Sequence, residues 1–288
     1  MTRIALLGAG AMGSRMAQNL LKAQYKLIVY NRTADKVKPL IDQGAVYADN
    51  PKAAAEQADI VISMVTNNES SRNVWLDPKV GAALGLNKTS IAIESSTLTV
   101  GYIRELAAAI TQRGAALLDA PVVGSRPQAE AGKLIYLVGG EAETLAQVQT
   151  VLSSAGASEI HHLGENGQGM AMKLAVNALF GIQVAALAEA LGMLAKGGIS
   201  GDRAMALLGE LPILSPAAKL AGNLMLTGNH APLFPIELVE KDFRYAIATE
   251  QTSGAKMPIA TALQDVYQKA ITEGYGKDNI TGVIQLFV

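Results

Sequence analysis

The sequence predicts an α/β protein with an N-terminal domain built on a mostly parallel β-sheet, a long interdomain helix, and an all-α C-terminal domain. In the first half of the 288-residue chain, short β-rich runs alternate with helical stretches, a pattern typical of right-handed βαβ units. The alternation stops near Leu163, where a long segment rich in Ala, Leu, Met and Val begins. The rest of the chain shows only helical patterns, which Gly and Pro residues interrupt.

The strands of the first domain are predicted from short runs rich in β-branched and other apolar residues. They are residues 3–8, 26–31, 60–65, 90–94, 116–120, 134–138 and 160–163. Because the last of these runs closes the alternating region, the sequence predicts a first domain of residues 1–163 and a second domain of residues 164–288.

The first strand leads into a G-x-G-x-x-G turn, and a helical pattern follows from residue 12 to residue 22. Glycines at Gly8, Gly10 and Gly13 allow a tight turn, close approach of a pyrophosphate, and close packing of the helix on the strand. The helix N-terminus then faces the anion. Because strand, turn and helix occur in this order, we expect a Rossmann domain that binds a dinucleotide. The contacts expected in this turn are Gly8, Ala9, Gly10, Ala11, Met12 and Gly13.

The end of the second predicted strand bears on which dinucleotide is used. NAD-selective sites carry an acidic residue there, which binds the adenosine ribose and repels a 2′-phosphate. This chain instead has Asn31, Arg32 and Thr33. Arg32 can present a planar fork of donors to a 2′-phosphate, while Asn31 and Thr33 can add neutral hydrogen bonds. In a compatible alternative, Arg32 is solvated and Thr33 is the N-cap of the next helix. We expect NADP(H) to be preferred, with NAD(H) remaining possible.

The overall charge and cysteine content narrow the class of partner. The chain has 24 basic and 25 acidic residues, a net charge of -1, so it has no general electrostatic attraction to nucleic acid or to an anionic membrane. It contains no cysteine, which fits a reducing compartment. The first apolar run is the nucleotide-binding strand, and no secretory signal precedes it. We expect a cytoplasmic protein that acts on a small polar metabolite.

A second motif lies at the end of predicted strand 116–120, where Pro121 stiffens the exit from the strand. The carboxyl ends of parallel strands line the ligand crevice of an open α/β sheet. Gly124 and Ser125 can bring backbone N–H groups and a hydroxyl to a substrate carboxylate, and Arg126 follows them. An ordinary tight turn is the alternative. We expect Gly124, Ser125 and Arg126 to bind the acidic end of a substrate.

The apolar segment at residues 168–194 contains only two charged side chains, Lys173 and Glu189. It is too apolar on all sides for an ordinary surface helix. Its uninterrupted apolar run, residues 174–188, includes Asn177 and Gln183 and is short for a membrane span of about 20 residues. The segment therefore predicts a helix that is buried between domains or subunits. We expect a homo-oligomer, either a dimer or a tetramer.

Two polar residues stand out at the start of this helix. Lys173 and Asn177 are four residues apart and so occupy neighbouring positions on one helical face. An amide is poorly suited to a plain hydrophobic interface, which favours a shared polar function for the two side chains. The alternative is a helix-end lysine beside a core asparagine whose hydrogen bonds are satisfied. Further along the chain, Lys241 and Asp242 follow a Phe-Pro-Ile-Glu segment, and Lys241 can point toward a cofactor or form a solvated ion pair.

Together these motifs resemble the β-hydroxyacid dehydrogenase family, which includes 3-hydroxyisobutyrate dehydrogenases, tartronate semialdehyde reductases and glyoxylate/succinic semialdehyde reductases. The glycine turn, the Asp-Ala-Pro-Val segment, the Gly-x-Gly…Lys-x-x-x-Asn element and the Lys-Asp element occur in the family's order over nearly the whole chain. The resemblance implies a Rossmann domain, an interdomain helix and an all-α domain used in subunit association. It implies that Lys173 is the catalytic residue and that Asn177 orients the substrate. The further cofactor contacts that it implies are Met64, Val65, Thr97 and Lys241.

The implied reaction is hydride transfer between the nicotinamide and a small carboxylated aldehyde or keto acid, of the glyoxylate or succinic semialdehyde type, giving the hydroxyacid. Lys173 would donate the proton in reduction and accept it in oxidation, and partial burial would lower its pKa toward the useful range. The Asn31-Arg32 and Gly124-Ser125 pairs are most similar to the NADP-using glyoxylate/semialdehyde reductase branch. Val123 stands where many members have a serine, so that substrate-binding hydroxyl is missing.

Three alternatives remain at this point. Imine reductases on the related fold usually replace the catalytic lysine with another proton donor, so Lys173 argues against that activity. A dinucleotide-binding module without catalysis would not require both Lys173 and Asn177. His161 and His162 could suggest a metal site, but adjacent strand side chains point to opposite faces and no cluster of ligands accompanies them, so we expect no metal.

Overall fold

The computed structural model describes residues 2–249 and 253–288, and its first sheet has the strand order of a Rossmann domain. Six parallel strands are arranged in the order β3-β2-β1-β4-β5-β6. These strands are β1 (Arg3–Leu7), β2 (Lys26–Tyr30), β3 (Val46–Tyr47), β4 (Ile60–Ser63), β5 (Ile91–Glu94) and β6 (Ala116–Asp119). The predicted α/β fold class is confirmed.

A smaller sheet follows in the chain, with β7 (Val122–Val123), β8 (Leu134–Val138) and β9 (Ala157–His162). β7 pairs antiparallel with β8, and β8 pairs parallel with β9. An isolated bridge between Asp119 and Gly139 joins the end of β6 to the end of β8. The sequence missed β3 and β7, which have only two residues each, and it started β9 at Ile160 rather than at Ala157.

Helices connect and cover these strands. They are α1 (Gly13–Lys22), α2 (Lys38–Ile41), α3 (Pro51–Glu56), α4 (Asn68–Leu76), α5 (Val100–Thr111), α6 (Arg126–Glu130) and α7 (Ala142–Ser154). The core of the large sheet is apolar on both faces, since every residue of β4 and β5 is buried. Such continuous burial is typical of parallel strands covered by helices on both sides.

The second half of the chain is helical, as the sequence predicts. Its helices are α8 (Gln168–Lys196), α9 (Gly201–Leu208), α10 (Pro216–Leu226), α11 (Ile236–Ala248) and α12 (Pro258–Ala270). The predicted breaks at residues 197–198, 211–212 and 227–229 fall between these helices, the break at 256–258 meets the first residue of α12, and the break at 274–276 follows α12. The chain ends in a short 3₁₀ segment, Ile280–Leu286.

α8 packs against α11 and α12 at Gly181. A Cβ atom at Gly181 would lie 2.6 Å from the ring of Phe243, so only glycine allows this approach. The Tyr267 hydroxyl donates to the Gly181 carbonyl oxygen at 2.8 Å, and the Phe243 and Tyr267 rings stack with centroids 5.5 Å apart. Among the described residues, α8 is the one helix with the length and composition to cross a membrane, and a buried core helix shares that composition. Its contacts at Gly181 are those of a core helix.

The contacts divide the chain into two compact units between Lys173 and Leu174, inside α8. The sequence places the boundary earlier, after Leu163. The two boundaries differ because the Asp119 carboxylate accepts hydrogen bonds from the backbone N–H groups of Gly167 and Met170, so the first turn of α8 belongs with the first unit.

Candidate active site

The glycine turn joins β1 to α1. Gly8 has φ of +103°, and a Cβ there would overlap the Met64 carbonyl oxygen. A Cβ at Gly13 would overlap the Gly8 carbonyl oxygen, so these two glycines are required by the fold itself. Gly10 differs, because none of the described residues has an atom within 4 Å of a Cβ built there. The open space at Gly10 and the tight packing at Gly8 and Gly13 fit a pyrophosphate site at the N-terminus of α1.

The Asn31 side chain connects the glycine turn to the end of β2. Its Oδ1 accepts from the Ala9 N–H at 3.0 Å, and its Nδ2 donates to the Thr33 carbonyl oxygen at 2.8 Å. Arg32 between them is exposed and forms no hydrogen bond or ion pair with any other residue that the structure describes. Thr33 precedes a 3₁₀ turn, Ala34–Val37, but in the described chain its side chain does not cap that turn. The guanidinium is thus available to an external anion.

The loops after β4 and β5 are held together by a buried carboxylate. Glu94 is fully buried; its Oε1 accepts from the Ser96 N–H at 2.8 Å, and its Oε2 accepts from the Trp75 indole N–H at 2.9 Å. The Ser96 hydroxyl in turn accepts from the Val65 N–H at 2.8 Å. This chain of bonds fixes the predicted cofactor contacts Met64, Val65 and Thr97 at the adjacent carboxyl ends of two paired strands.

The turn after β7 is shaped by a glycine and by a helix start. Gly124 has φ of +118°, and Ser125 forms a capping box with Gln128 at the first turn of α6. The Ser125 N–H donates to Gln128 Oε1 at 3.0 Å. Ser125 was predicted to contact substrate only, although the S-x-x-Q spacing of a capping box is visible in the sequence. Arg126 is half-buried, and its side chain has no hydrogen bond or ion pair to another residue in the described ranges.

Helix α6, which begins at this turn, is attached to α1. The Arg15 guanidinium pairs with Glu130 at 2.6 Å and also donates to the Ala11 carbonyl oxygen at 2.6 Å. Asn19 donates to the Ala129 carbonyl oxygen at 2.9 Å. The structure thereby brings the predicted substrate turn and the glycine turn onto elements that contact each other directly.

Asp119, the last residue of β6, lies under the start of α8. Its Oδ1 accepts from the Gly167 N–H and its Oδ2 from the Met170 N–H, each at 2.8 Å. The side chain is fully buried, and burial raises its pKa to about 6, although the hydrogen bonds from these two N–H groups oppose the rise. Asp119 is not among the site residues predicted from the sequence.

Lys173 and Asn177 lie one turn apart on α8, as the sequence predicts from their spacing. Both are buried, with 8% and 9% of their surfaces exposed. A buried lysine beside a buried asparagine is unusual, because both side chains lose solvation that polar partners must replace.

The Asn177 amide is fixed by Asp242 of α11. Its Nδ2 donates to Asp242 Oδ2 at 2.6 Å, and Asp242 Oδ1 lies 3.1 Å from Lys241 Nζ. Because a carboxylate only accepts, this contact requires the amide nitrogen to face Asp242 and leaves Asn177 Oδ1 free to point elsewhere. Lys241 Nζ also lies 5.0 Å from the Tyr245 ring centroid. Asp242 thus links two predicted site residues, a role that adjacency to Lys241 in the sequence does not reveal.

The histidines considered for a metal site have other contacts. His161 Nε2 lies 3.1 Å from Glu159 Oε2, and His162 Nε2 lies 2.7 Å from the Gly140 carbonyl oxygen. Within residues 2–249 and 253–288, no group of three or more His, Asp or Glu side chains is placed to hold a metal ion.

Comparison with known proteins gives matches over nearly the whole chain. The family model described as the NAD binding domain of 6-phosphogluconate dehydrogenase matches residues 3–175, and the model described as NAD-binding of NADP-dependent 3-hydroxyisobutyrate dehydrogenase matches residues 167–287. Glyoxylate/succinic semialdehyde reductase 2 of Arabidopsis thaliana is 33% identical over 98% of this chain and 78% of its own. The 3-hydroxyisobutyrate dehydrogenase of Pseudomonas aeruginosa is 34% identical over 93% of this chain and 91% of its own.

The chain belongs to the β-hydroxyacid dehydrogenase family. A solved structure of Mycobacterium tuberculosis 3-hydroxyisobutyrate dehydrogenase with L-serine covers 99% of each chain at 28% identity, with a TM-score of 0.90. Membership makes this protein a hydroxyacid dehydrogenase, an oxidoreductase acting on CH–OH groups with a nicotinamide dinucleotide. The resemblance inferred from the sequence motifs is confirmed.

As in other β-hydroxyacid dehydrogenases, a Rossmann domain precedes a helical region here. In the first unit, the structure collects the glycine turn, Asn31 and the loops after β4 and β5 at the carboxyl edge of one sheet. In the second unit, it joins Asn177 and Lys241 through Asp242. The residues that sequence analysis missed are carboxylates and amides that hold these groups: Asn19, Glu94, Asp119 and Asp242.

Proposed function

We propose that this protein is an NADPH-preferring reductase of a small carboxylated aldehyde or keto acid, of the glyoxylate or succinic semialdehyde type, with Lys173 as the proton donor. The observation that carries this proposal is the pair of buried polar residues on α8, Lys173 and Asn177, one turn apart. Asn177 is held by a buried carboxylate rather than by solvent. The names of two relatives, glyoxylate/succinic semialdehyde reductases of Arabidopsis thaliana, support this class of substrate.

The cofactor preference rests on Arg32 and Asn31. Arg32 is exposed and forms no ion pair among the described residues, so it can pair with a 2′-phosphate without breaking an existing contact. Asn31 contributes no negative charge that would repel that phosphate. Gly8, Gly10 and Gly13 would hold the pyrophosphate, and Met64, Val65, Thr97 and Lys241 would complete the cofactor contacts. When bound, the nicotinamide supplies the hydride.

The protein's own side chains would place a proton donor, Lys173, and orient the substrate carbonyl through Asn177. Lys173 is buried, with 8% of its surface exposed, so few water molecules compete with its amine for proton transfer to the substrate oxygen. Removal of a positioned general acid costs roughly 10²–10⁴-fold in rate. Asn177 would hold the substrate so that the carbonyl stays in line for hydride transfer, and its contact with Asp242 fixes its orientation.

The substrate carboxylate is assigned to the turn of Gly124, Ser125 and Arg126. Val123 provides no hydroxyl, and the Ser125 side chain takes part in the capping box of α6. Arg126, with no ion pair in the described chain, is therefore the strongest candidate for the carboxylate contact. A small substrate with one carboxylate fits one guanidinium.

We also propose that the protein is a homo-oligomer, either a dimer or a tetramer. The helices of the second unit expose large apolar side chains that a monomer would leave in water. Those more than half exposed on helices are Leu179, Met193, Leu207, Leu220 and Ile259, and Ile213 between α9 and α10 is exposed as well. Light scattering at several protein concentrations tests this proposal, and a monomer at every concentration would overturn it.

The activity is tested by NADPH oxidation with glyoxylate, succinic semialdehyde, tartronate semialdehyde, methylmalonate semialdehyde and cyclic imines. Turnover of one or more carbonyl acids supports the proposal, whereas turnover of cyclic imines alone would indicate an imine reductase. No turnover across the panel would indicate a dinucleotide-binding module without catalysis. Single-turnover oxidation by Lys173→Ala should be slower by roughly 10²–10⁴-fold with NADPH binding retained. Lys173→Arg should not restore the rate, since a guanidinium does not readily give up its proton.

A further inference from the structure

The first turn of α8 is held by one buried side chain from a neighbouring strand. The two oxygens of the Asp119 carboxylate accept from the Gly167 and Met170 N–H groups, both at 2.8 Å. The first N–H groups of a helix have no partner within the helix and need one from elsewhere. Here the partner is a residue far back in the chain, so the start of α8 is fixed to the end of β6.

The backbone at this point is packed too closely to move without breaking these contacts. A Cβ at Gly169 would overlap the Leu137 carbonyl oxygen, and a Cβ at Gly139 would lie 2.5 Å from Asp119 Oδ1. Asp119 and Gly139 also exchange two backbone hydrogen bonds, at 2.8 and 3.0 Å. Asp119 has no exposed surface, so water cannot replace it as the acceptor for the helix.

The same turn sets the position of Lys173. Met170 is one turn before Lys173, and its N–H is bound by Asp119 while its sulfur accepts from the Leu98 N–H at 3.1 Å. A rotation or shift of this turn would therefore carry Lys173 with it. A misplacement of about 1 Å can lower a catalysed rate about 100-fold.

We propose that Asp119 is a positioning residue for catalysis, which places the Lys173 amine by holding the first turn of α8. This inference rests on the proposed function of Lys173. A carboxylate suits the task because it offers acceptors to both N–H groups and places negative charge at a helix N-terminus. Asparagine has nearly the same shape but only one acceptor oxygen, and its NH₂ group would face one of the two backbone donors.

The test is a double-mutant cycle of Asp119→Asn and Lys173→Ala, measured as single-turnover NADPH oxidation with the best carbonyl acid. Asp119→Asn alone should lower the rate about 10- to 100-fold, with the Kd for NADPH unchanged within about twofold. In the Lys173→Ala background, Asp119→Asn should have no further effect, because there is no amine left to position. A purely structural role would lower both rates by the same factor.

Glu94→Gln is the matched control, since it also neutralises a buried carboxylate at the end of a strand in the first unit, but one that holds the cofactor loops. Glu94→Gln should raise the Kd for NADPH. Any factor by which it lowers the single-turnover rate should be the same in the wild-type and Lys173→Ala backgrounds. If Asp119→Asn is not recovered folded, Asn166→Ala replaces it, because the Asn166 amide donates to Asp119 Oδ1 and to the Leu117 carbonyl oxygen. Its smaller rate loss should likewise vanish in the Lys173→Ala background.

The outcomes separate the two proposals. If Lys173→Ala is slow and the effects of Asp119→Asn and Lys173→Ala multiply, the positioning role is wrong while the proposed function stands. A wild-type rate in folded Asp119→Asn, or in Asn166→Ala where that variant is used, also overturns the positioning role. A wild-type rate in folded Lys173→Ala overturns the proposed function, and the role of Asp119 with it.

Discussion

The buried ion pair on α11 gives a stability prediction that can be worked out from its contacts. In Asp242→Asn the side chain keeps its shape but loses its charge. The Asp242 carboxylate accepts from Asn177 at 2.6 Å and lies 3.1 Å from Lys241 Nζ. The Lys241 contact is an ion pair without a hydrogen bond to Asp242 Oδ1, and an amide can present its oxygen either to Asn177 or to Lys241 but not to both. The variant therefore leaves either the Asn177 amide or the Lys241 ammonium facing an NH₂ group.

The expected loss is large because the pair is shielded from water. The Asp242 and Lys241 side chains are 4% and 10% exposed, and removal of one partner of a buried pair costs about 3–5 kcal/mol. The Tyr245 ring, 5.0 Å from Lys241 Nζ, offsets part of this loss by about 1 kcal/mol. The net decrease in the free energy of unfolding should be about 2–4 kcal/mol.

Glu273→Gln is the control, because it breaks a solvent-exposed pair with Lys269 in the same unit and removes the same charge. Those side chains are 64% and 43% exposed and their charged atoms are 3.8 Å apart, so the variant should lose less than about 0.5 kcal/mol. Urea unfolding followed by far-UV circular dichroism reports on the helices of both units. The fluorescence of Trp75, the single tryptophan of the chain, reports on the first unit. Equal losses of stability in Asp242→Asn and Glu273→Gln would show that burial does not strengthen the Lys241–Asp242 pair.

Arg32→Ala should lower kcat/KM with NADPH by the equivalent of about 1.5–3 kcal/mol and leave kcat/KM with NADH unchanged. The assignment is contradicted if the wild type uses NADH and NADPH with equal kcat/KM and the variant changes neither value. Gly10→Ala should fold with stability within about 1 kcal/mol of wild type but bind cofactor poorly, whereas Gly13→Ala should lose more than about 2 kcal/mol, as thermal unfolding and cofactor titration will show. The pKa of Asp119 is raised by burial from 3.8 to about 6, so the native state takes up its proton first and gains stability as the pH falls. The free energy of unfolding of wild type, relative to Asp119→Asn, should rise by about 1 kcal/mol between about pH 7 and about pH 5, and a flat difference would show that the pKa is not raised.

The fold was largely predictable because its signals are local. The apolar strands of the large sheet and the Gly and Pro breaks of the helical half follow from short stretches of sequence. β3 and β7 were missed because two residues are too few to show any alternation. The start of β9 was placed late because Ser158 and Glu159 are exposed on an edge strand and only the small Ala157 before them is partly buried, so no apolar pattern marks the start.

The candidate site was predictable only where the separation of two residues in the sequence determines their relative position in the structure. Lys173 and Asn177 share a helical face whatever surrounds them, so four residues of separation sufficed. The roles of Asp119 and Asp242 depend on contacts with residues 48 to 65 positions away in the chain, which no local pattern encodes. Ser125 shows the opposite case, since its capping-box spacing with Gln128 was present in the sequence and substrate binding was preferred over it.

The two hydrogen bonds of Asn31 have a consequence for altering the cofactor preference. Asn31→Asp, the change that would install the acidic residue of NAD-selective sites, keeps the acceptor for the Ala9 N–H but loses the donor to the Thr33 carbonyl oxygen. It also places a negative charge against that oxygen. The Asn31 side chain therefore affects both the cofactor preference and the conformation of the loop after β2, and a substitution at this position changes both. A change of cofactor preference toward NAD is therefore expected to begin with a substitution of Arg32, whose side chain forms no hydrogen bond or ion pair in the described residues.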